Sequence, residues 1–248
     1  MFSQFSSLRR AFILGAAVAA GCLALPAASQ AEGLRSVIEM FTSQGCSSCP
    51  PADKLAAEMA KDPANLVLSF NVDYWDYIGW KDTLASPAYT ARQKAYAGAR
   101  GDGHVYTPQA VLGGLTHAVG SDRSEIEAGI KLAQGNGALS VPVKLSAQGG
   151  AFKVEVGEGA AAANGSLWLV RFQHQKTVAI GRGENSGRSV TYTNSVRGMV
   201  KIADWTGKAT SFDVSAAQAQ GADSDGFAVI LQAGPAGRPG VILGAAKG

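Results

Sequence analysis

Residues 36–61 read SVIEMFTSQGCSSCPPADKLAAEMAK, and this segment carries the clearest structural signals of the chain. Its first six residues are mostly apolar and include β-branched side chains, which predicts a short buried strand over Ser36 to Phe41. Two prolines and a one-sided apolar pattern then predict a helix over Pro50 to Lys61, since proline suits the first helical turn. The C-x-x-C motif of Cys46 and Cys49 therefore falls at the start of a helix that follows a strand.

This placement of a cysteine pair is typical of thiol-disulfide chemistry. The attacking species is a thiolate, which is stabilised at a helix N-terminus by unpaired N–H groups and the helix dipole. We therefore predict that Cys46 attacks first and that Cys49 resolves the mixed disulfide. The residues between them, Ser47 and Ser48, do not indicate the direction of electron flow.

Three other interpretations of the pair stay open. It could be a permanent structural disulfide, although so short a loop constrains the unfolded chain little. It could bind Zn²⁺ or Cu(I) through two thiolates, or the cysteines could be inert core residues. The chain contains no second C-x-x-C motif, and its histidines, His104, His117 and His174, are scattered along the sequence. We therefore predict no metal site and no cofactor.

The segment after the motif predicts a second strand over Asn65 to Asp73, joined to the first by the helix in a parallel βαβ unit. A long insertion follows at about residues 74–105, and it includes a predicted helix over Ala85 to Ala99. The insertion is rich in aromatic residues: Tyr74, Trp75, Tyr77, Trp80, Tyr89 and Tyr96. We interpret them as a packed helical subdomain or as a recognition surface in which Trp75 contacts substrate.

Two further elements complete the first half of the chain. Tyr106 to Gly114 predicts a short strand that Pro108 opens, a position where proline costs no central ladder bond. Ser121 to Ala133 predicts a helix with a Ser or Asp cap. We expect residues 32–136 to form one α/β domain.

Three motifs in this half resemble those of a known family. They are FTSQGCSSCPPAD at residues 41–53, VDYWDYIGW at 72–80 and YTPQ at 106–109. The chain resembles exported bacterial thioredoxin-like proteins that are catalogued as a domain of unknown function, and Arg182 to Asn185 and Tyr192 to Arg197 extend the likeness. The resemblance implies a thioredoxin-like fold and a thiol-disulfide role without an assigned substrate.

The thioredoxin architecture also implies a substrate-binding loop. In that architecture a cis-proline loop lies against the C-x-x-C motif and presents its backbone to an extended substrate. By this analogy we expect Tyr106, Thr107 and Pro108 to bind substrate, and X-Pro is the bond for which cis geometry costs little. The chain departs from ordinary thioredoxin because proline follows Cys49 and is absent between the cysteines.

A resolving cysteine also needs a proton carrier. Glu39 lies on the strand just before the motif, where a buried acid would be suited to deprotonate Cys49. We therefore include Glu39 among the catalytic candidates, although strand alternation could instead direct it to solvent. Asp73 and His104 are the alternatives.

Short β-rich runs replace the helical pattern from Leu139 onward, after a composition change at residues 135–137. Glycine, asparagine, serine and aspartate turns separate the runs, which predicts a small antiparallel sandwich over residues 137–248. The predicted strands are Ser140–Leu145, Phe152–Val156, Ser166–Phe172, Thr177–Ile180, Ser189–Thr193, Val200–Trp205, Thr210–Val214 and Phe227–Gln232. The polar loop from Arg182 to Arg188 is either a structural turn or a loop that faces the cysteines.

The N-terminus predicts export. Arg9 and Arg10 precede the apolar stretch Ala11 to Leu25, and small residues follow up to Ala31, which is the layout of a signal peptide at residues 1–31. The paired arginines also fit a twin-arginine signal. We expect a periplasmic or secreted protein, or one that is lipid-anchored through Cys22 as the alternative, with no stable membrane span after signal removal.

Charge excludes one class of partner. The 248-residue chain has 22 Lys and Arg against 19 Asp and Glu, and removing residues 1–31 removes two arginines and no acid, which leaves 20 against 19. A net charge of +1 gives no electrostatic reason to expect nucleic acid.

The sequence therefore predicts an α/β thioredoxin-like domain, with its C-x-x-C motif and inserted helical segment, followed by a β-rich sandwich-like domain. We expect an exported thiol-disulfide oxidoreductase that acts on protein or small thiol substrates and has a redox partner protein. The alternatives are a C-x-x-C metal carrier and a non-catalytic interaction protein with a permanent disulfide.

Overall fold

The computed structural model describes residues 1–2, 33–160, 163–235 and 237–248. The predicted signal at residues 1–31, with Cys22, lies almost entirely outside the described residues. Glu32–Gly248 forms one compact unit. Of the helices in the described ranges, none combines the length and the apolar character that crossing a membrane requires.

The first half of this unit alternates strands and helices. Its elements are β1 (Ser36–Thr42), α1 (Pro50–Met59), β2 (Asn65–Asn71), a short 3-10 turn (Asp76–Ile78), α2 (Pro87–Arg100), β3 (Gln109–Leu112), β4 (Thr116–Val119) and α3 (Arg123–Gly135). β1 and β2 pair in parallel, which confirms the predicted βαβ unit. The carboxylate of Asp122 accepts the backbone N–H of Glu125 at 3.0 Å and caps α3.

The second half is almost entirely β-structure. Its elements are β5 (Val143–Gln148), β6 (Ala151–Val156), β7 (Gly165–Ala179), β8 (Ser189–Trp205), β9 (Thr210–Ser215), α4 (Ala216–Ala219), β10 (Gly226–Ala233) and β11 (Ile242–Lys247). Two pairs of predicted strands are fused into the long strands β7 and β8, whose pairing continues past two register shifts. Strand β11 was not predicted, because its glycine and alanines have low strand propensity.

The two halves share one sheet, so the fold is mixed α/β with one large and one small sheet. The large sheet has the order β11-β10-β7-β8-β2-β1-β3-β4, and β5-β6-β9 form the small sheet. β8 is antiparallel to β7 and meets β2 in parallel at Ser195 and Ser69. One sheet therefore spans the predicted domain boundary at residues 136 and 137, and β8 covers the edge that β2 would otherwise leave open.

Strand alternation assigns the side chains of β1 to two cores. Val37 and Phe41 pack toward α2 in a cluster with Phe70 and Tyr96, while Ile38 and Met40 pack with α1 and α3. A third cluster joins the small sheet to β7 and β10. Residues of β1 that differ by one position therefore face opposite sides of the sheet.

Candidate functional site

The cysteine pair lies at the predicted helix start. The sulfurs of Cys46 and Cys49 are 2.15 Å apart, which is a disulfide distance, and Cys49 is the N-cap of α1. Both residues are buried, with 1% and 0% of their surface exposed, whereas Ser47 and Ser48 between them are exposed. The hydroxyl of Ser48 lies 3.4 Å from the Cys46 sulfur. A reactant therefore meets the two serines before it meets the sulfurs.

The inserted segment holds the loop that leads to the cysteines. The backbone N–H of Gln44 donates to Asp82 Oδ2 at 2.7 Å, and the side chain of Gln44 donates to Thr83 at 3.1 Å. The indole of Trp80 donates to the Gln44 side-chain oxygen at 2.7 Å. Gln44 is fully buried, so these bonds fix the loop within the protein.

Trp75 connects the cysteine loop to the proline loop. A Cβ added to Gly45 would lie 2.9 Å from Trp75 Cβ, so only glycine permits this close approach. The Trp75 indole donates to Thr107 Oγ1 at 2.8 Å. Its ring also stacks on Tyr77, which is 81% exposed. Trp75 and Tyr77 thus form an aromatic platform beside the cysteine loop.

The Thr107–Pro108 peptide bond is cis, and this loop lies beside the first turn of α1. A Cβ added to Gly120 would lie 3.0 Å from Pro108 Cβ and 3.3 Å from Ala52 Cβ, so both residues border Gly120. Within the described ranges, the backbone N–H and C=O of Thr107 have no backbone partner. The structure therefore brings Trp75, Thr107 and Pro108 near the cysteines.

Tyr106 points elsewhere. Its hydroxyl lies 2.8 Å from Nδ1 of His117 on β4, although its carbonyl accepts Gln93 Nε2 at 2.7 Å and helps to fix the loop. Asp73 Oδ1 accepts the Thr90 hydroxyl at 2.5 Å. Asp73 therefore holds the start of the insertion in place.

Glu39 does not lie with the cysteines. Its neighbours in β1 show that odd-numbered residues face α2, whereas the cysteine helix α1 covers the opposite face. Glu39 is fully buried and forms an ion pair with Arg92 at 2.8 Å, and Tyr96 donates to it as well. The prediction that Glu39 serves Cys49 is wrong because one residue of strand alternation places it across the sheet.

A different acid, Asp53, lies on the cysteine side. It stands four residues after Cys49 in α1, and this spacing places two residues on one helix face. Asp53 is 2% exposed, and both carboxylate oxygens lack a hydrogen-bond partner among the described residues. Burial raises the pKa of the Asp53 carboxyl to about 8; the Thr42 side chain opposes this shift in part, and Asp82 adds to it. The sequence signal was available: Asp53 is a charge inside the apolar face of the predicted helix.

Other unpartnered polar groups line the sheet beneath α1. Thr42 ends β1, Asn71 is its register partner on β2, and Ser195 lies on β8. In the part of the chain that the structure describes, each has a buried side-chain oxygen without a partner. Such a group of polar atoms is suited to hold ordered water.

The polar loop between β7 and β8 also reaches the cysteine motif. Asn185 is 1% exposed, and its side-chain amide donates to the carbonyls of Gln44 at 3.0 Å and Cys46 at 2.8 Å. Arg188 donates to Asn185 Oδ1 at 3.1 Å. The second half of the chain therefore clamps the cysteine loop. From the sequence alone, the polar loop could have been either a structural turn or a loop that faces the cysteines.

These residues fall within one family match. A family model described as "Protein of unknown function (DUF1223)" matches residues 37–232. The chain belongs to this family. The match includes both the cysteine motif and the Asn185 loop of this DUF1223 protein.

A solved structure shares the DUF1223 protein's fold. The crystal structure of a protein from Agrobacterium tumefaciens is 34% identical in sequence and superposes with a TM-score of 0.78. The alignment covers 87% of this chain and 94% of that chain. A search of curated proteins found no match.

Replacing Asn185 with alanine in this DUF1223 protein should loosen the cysteine loop. Among the described residues, the change leaves the buried Gln44 carbonyl without a donor and the Cys46 carbonyl with only the backbone N–H of Cys49, which costs about 1–3 kcal/mol. If about 1.4 kcal/mol of this stabilises the closed loop, dithiothreitol should reduce the disulfide about tenfold faster. The control is Asn65→Ala, because Asn65 donates to the carbonyl of Met59 at 3.0 Å, away from the cysteines. Equal reduction rates in the two variants would contradict the clamp.

Proposed function

We propose that this protein is an exported thiol-disulfide oxidoreductase with a thioredoxin-like arrangement of its first half. The carrying observation is the Cys46–Cys49 disulfide at the N-terminus of a helix that directly follows a strand. The strand order β2-β1-β3-β4, with β1 and β2 parallel and β3 antiparallel, supports the thioredoxin-like arrangement. The position of the Thr107–Pro108 loop at the entry to β3 supports it further, because Pro108 and Ala52 of α1 both border Gly120.

Atoms and electrons balance in the proposed thiol-disulfide exchange without a cofactor. A substrate thiolate attacks Cys46 Sγ, the Cys46–Cys49 bond breaks, and Cys49 leaves as a thiolate that the start of α1 stabilises. A second substrate thiolate attacks the mixed disulfide, which forms a substrate disulfide and releases Cys46 as a thiolate. Two electrons thus pass from the substrate to the pair, and the reverse sequence reduces a substrate disulfide.

Asp53 is the proposed proton carrier for Cys49. With a pKa of about 8 it is protonated at neutral pH, so it can donate a proton to the Cys49 thiolate that the first step releases. In the reverse direction its carboxylate accepts the Cys49 proton and makes the resolving thiolate. Its shared helix face with Cys49 and its burial support this role.

The proposed partners are proteins or small molecules with thiols or disulfides, and a redox partner protein. The backbone of Thr107 lacks intramolecular backbone partners among the described residues, so an extended segment of a substrate can pair with it. The platform of Trp75 and Tyr77 offers apolar contact next to that backbone. Export to the periplasm or outside the cell suits the chemistry, because disulfides persist there.

A trapping experiment tests the proposal. Cys49→Ser cannot resolve a mixed disulfide, so the variant should accumulate dithiothreitol-sensitive adducts through Cys46. Cys46→Ser is the matched control and should accumulate none. Adduct formation through neither cysteine, in oxidising and in reducing medium, would refute the proposal.

A permanent structural disulfide is the second candidate, and the burial of both cysteines favours it. The reduction potential separates the two. Catalytic pairs lie at about −270 to −120 mV, whereas structural disulfides lie below about −300 mV. A potential in the lower range would favour a non-catalytic interaction protein.

A further inference from the structure

Three potential metal ligands converge outside the cysteine site. Asp102 and His104 lie in the loop after α2, and His117 lies on the edge strand β4. Their ligand atoms all lie within 4.8 Å of one another. No sequence pattern indicates this cluster, since 13 positions separate His104 from His117, but the β3–β4 hairpin returns the chain to the loop.

The closest pair has the spacing of two ligands on one ion. His117 Nε2 and Asp102 Oδ2 are 3.3 Å apart. Two ligand atoms at about 2.0–2.1 Å from a tetrahedral Zn²⁺ are separated by about 3.3 Å. The ring of His104 lies edge-on to His117 with centroids 5.6 Å apart, and the His104 side chain is exposed.

Neighbouring groups orient the two ligands His117 and Asp102. Tyr106 lies 2.8 Å from His117 Nδ1, and when Nδ1–H donates to the Tyr106 oxygen, Nε2 keeps its lone pair for a metal. Arg100 Nε donates to Asp102 Oδ2 at 2.7 Å, and the His104 N–H donates to Oδ1 at 2.9 Å. A second Arg100 contact at 3.3 Å fills a third acceptor position of the carboxylate, which has about four. The Arg100 charge weakens a cation site but leaves Asp102 room for one ligand bond.

We propose that Asp102, His104 and His117 form a binding site for a divalent ion of the Zn²⁺ class. Two imidazoles and one carboxylate suit Zn²⁺, and a fourth position is open to water or to a partner's side chain. The site joins the loop after α2 to β4. Because that loop leads directly into Tyr106 and Thr107, a bound ion would stabilise the entry to the proline loop.

Zn²⁺ titration of the untagged, disulfide-oxidised protein tests this site independently of the cysteine chemistry. The oxidised pair offers no thiolate, so metal binding by the C-x-x-C motif cannot account for a signal. Calorimetry should show one Zn²⁺ per chain. At a free Zn²⁺ concentration a hundredfold above Kd, the Tm should rise by about 5–10 °C.

Variants separate this site from adventitious binding. His104→Ala and His117→Ala should each abolish the Zn²⁺-dependent rise in Tm, and Tyr106→Phe should weaken Zn²⁺ binding about 10- to 100-fold. His174→Ala is the control, since His174 pairs with Asp225 at 2.8 Å without a third ligand in the described residues and should leave binding unchanged. Because the His104 side chain is exposed, its removal tests the site without disturbing the fold. Absence of binding to the wild type, or equal binding by His104→Ala and the wild type, would overturn the proposal.

Discussion

Replacing Glu39 with alanine should destabilise the protein by about 3–5 kcal/mol, because it leaves a buried guanidinium without its carboxylate. Arg92 donates to Glu39 Oε1 at 2.9 Å, to the Tyr96 hydroxyl at 2.8 Å and to Gln232 Oε1 at 3.0 Å. Its side chain is 10% exposed and that of Glu39 is 0% exposed. The ion pair therefore joins β1, α2 and β10 inside the core.

Urea unfolding at neutral pH measures this cost. The control is Glu58→Ala, since Glu58 pairs with Arg123 at 2.6 Å on the surface and such pairs contribute about 0–1 kcal/mol. The double variant Glu39→Leu/Arg92→Met removes both charges and should recover part of the loss, because no buried charge is left unpaired. The recovery should be incomplete, since the Tyr96 hydroxyl loses its acceptor and Gln232 Oε1 loses its donor. A loss for Glu39→Ala no greater than that for Glu58→Ala would contradict the role assigned to the pair.

Asp53→Asn should change how stability depends on pH. The folded protein holds the Asp53 proton up to about pH 8, whereas the unfolded chain releases it near pH 4. Between these values the folded state binds more protons, so the free energy of unfolding falls as the pH rises. One proton corresponds to about 1.4 kcal/mol per pH unit. Asparagine has no proton to lose, so the variant should lack this part of the fall and gain stability relative to wild type as pH increases.

Unfolding midpoints at pH 5, 6, 7 and 8 test this expectation. Asp213→Asn is the control, because Asp213 is exposed on β9 and its removal should preserve the wild-type slope. Asp82 is also buried with a raised pKa, so part of the slope should persist in Asp53→Asn. Parallel slopes for Asp53→Asn and the wild type would show that Asp53 is ionised in the folded protein.

Local patterns predicted the elements around the cysteines. The prolines and apolar face placed α1 at Pro50, and the structure begins the helix at that residue. Alternation and turn residues located most strands of the second half, because these signals act over a few positions. The helix of the insertion, α2, also begins within two residues of its predicted start.

Long-range geometry was not predictable from these patterns. Whether Glu39 faces α1 or α2 depends on which face of β1 each helix covers. The sequence of β1 does not specify which helix covers which face. Asn185 is 139 residues from Cys46, and nothing in its loop specifies the Cys46 carbonyl as its partner. The sheet that spans the boundary predicted at residues 136 and 137 was missed for the same reason, since composition does not show that β8 pairs with β2.

The shared sheet has a consequence for the order in which the molecule can be made. Synthesis releases the chain from its N-terminus, so the cysteines emerge long before Asn185. The core that holds Phe41 also contains Ile230, Ile242 and Ala245, and it cannot close until the last strand has arrived. During that interval Cys46 and Cys49 are not yet buried, so an oxidant can form their disulfide before folding is complete.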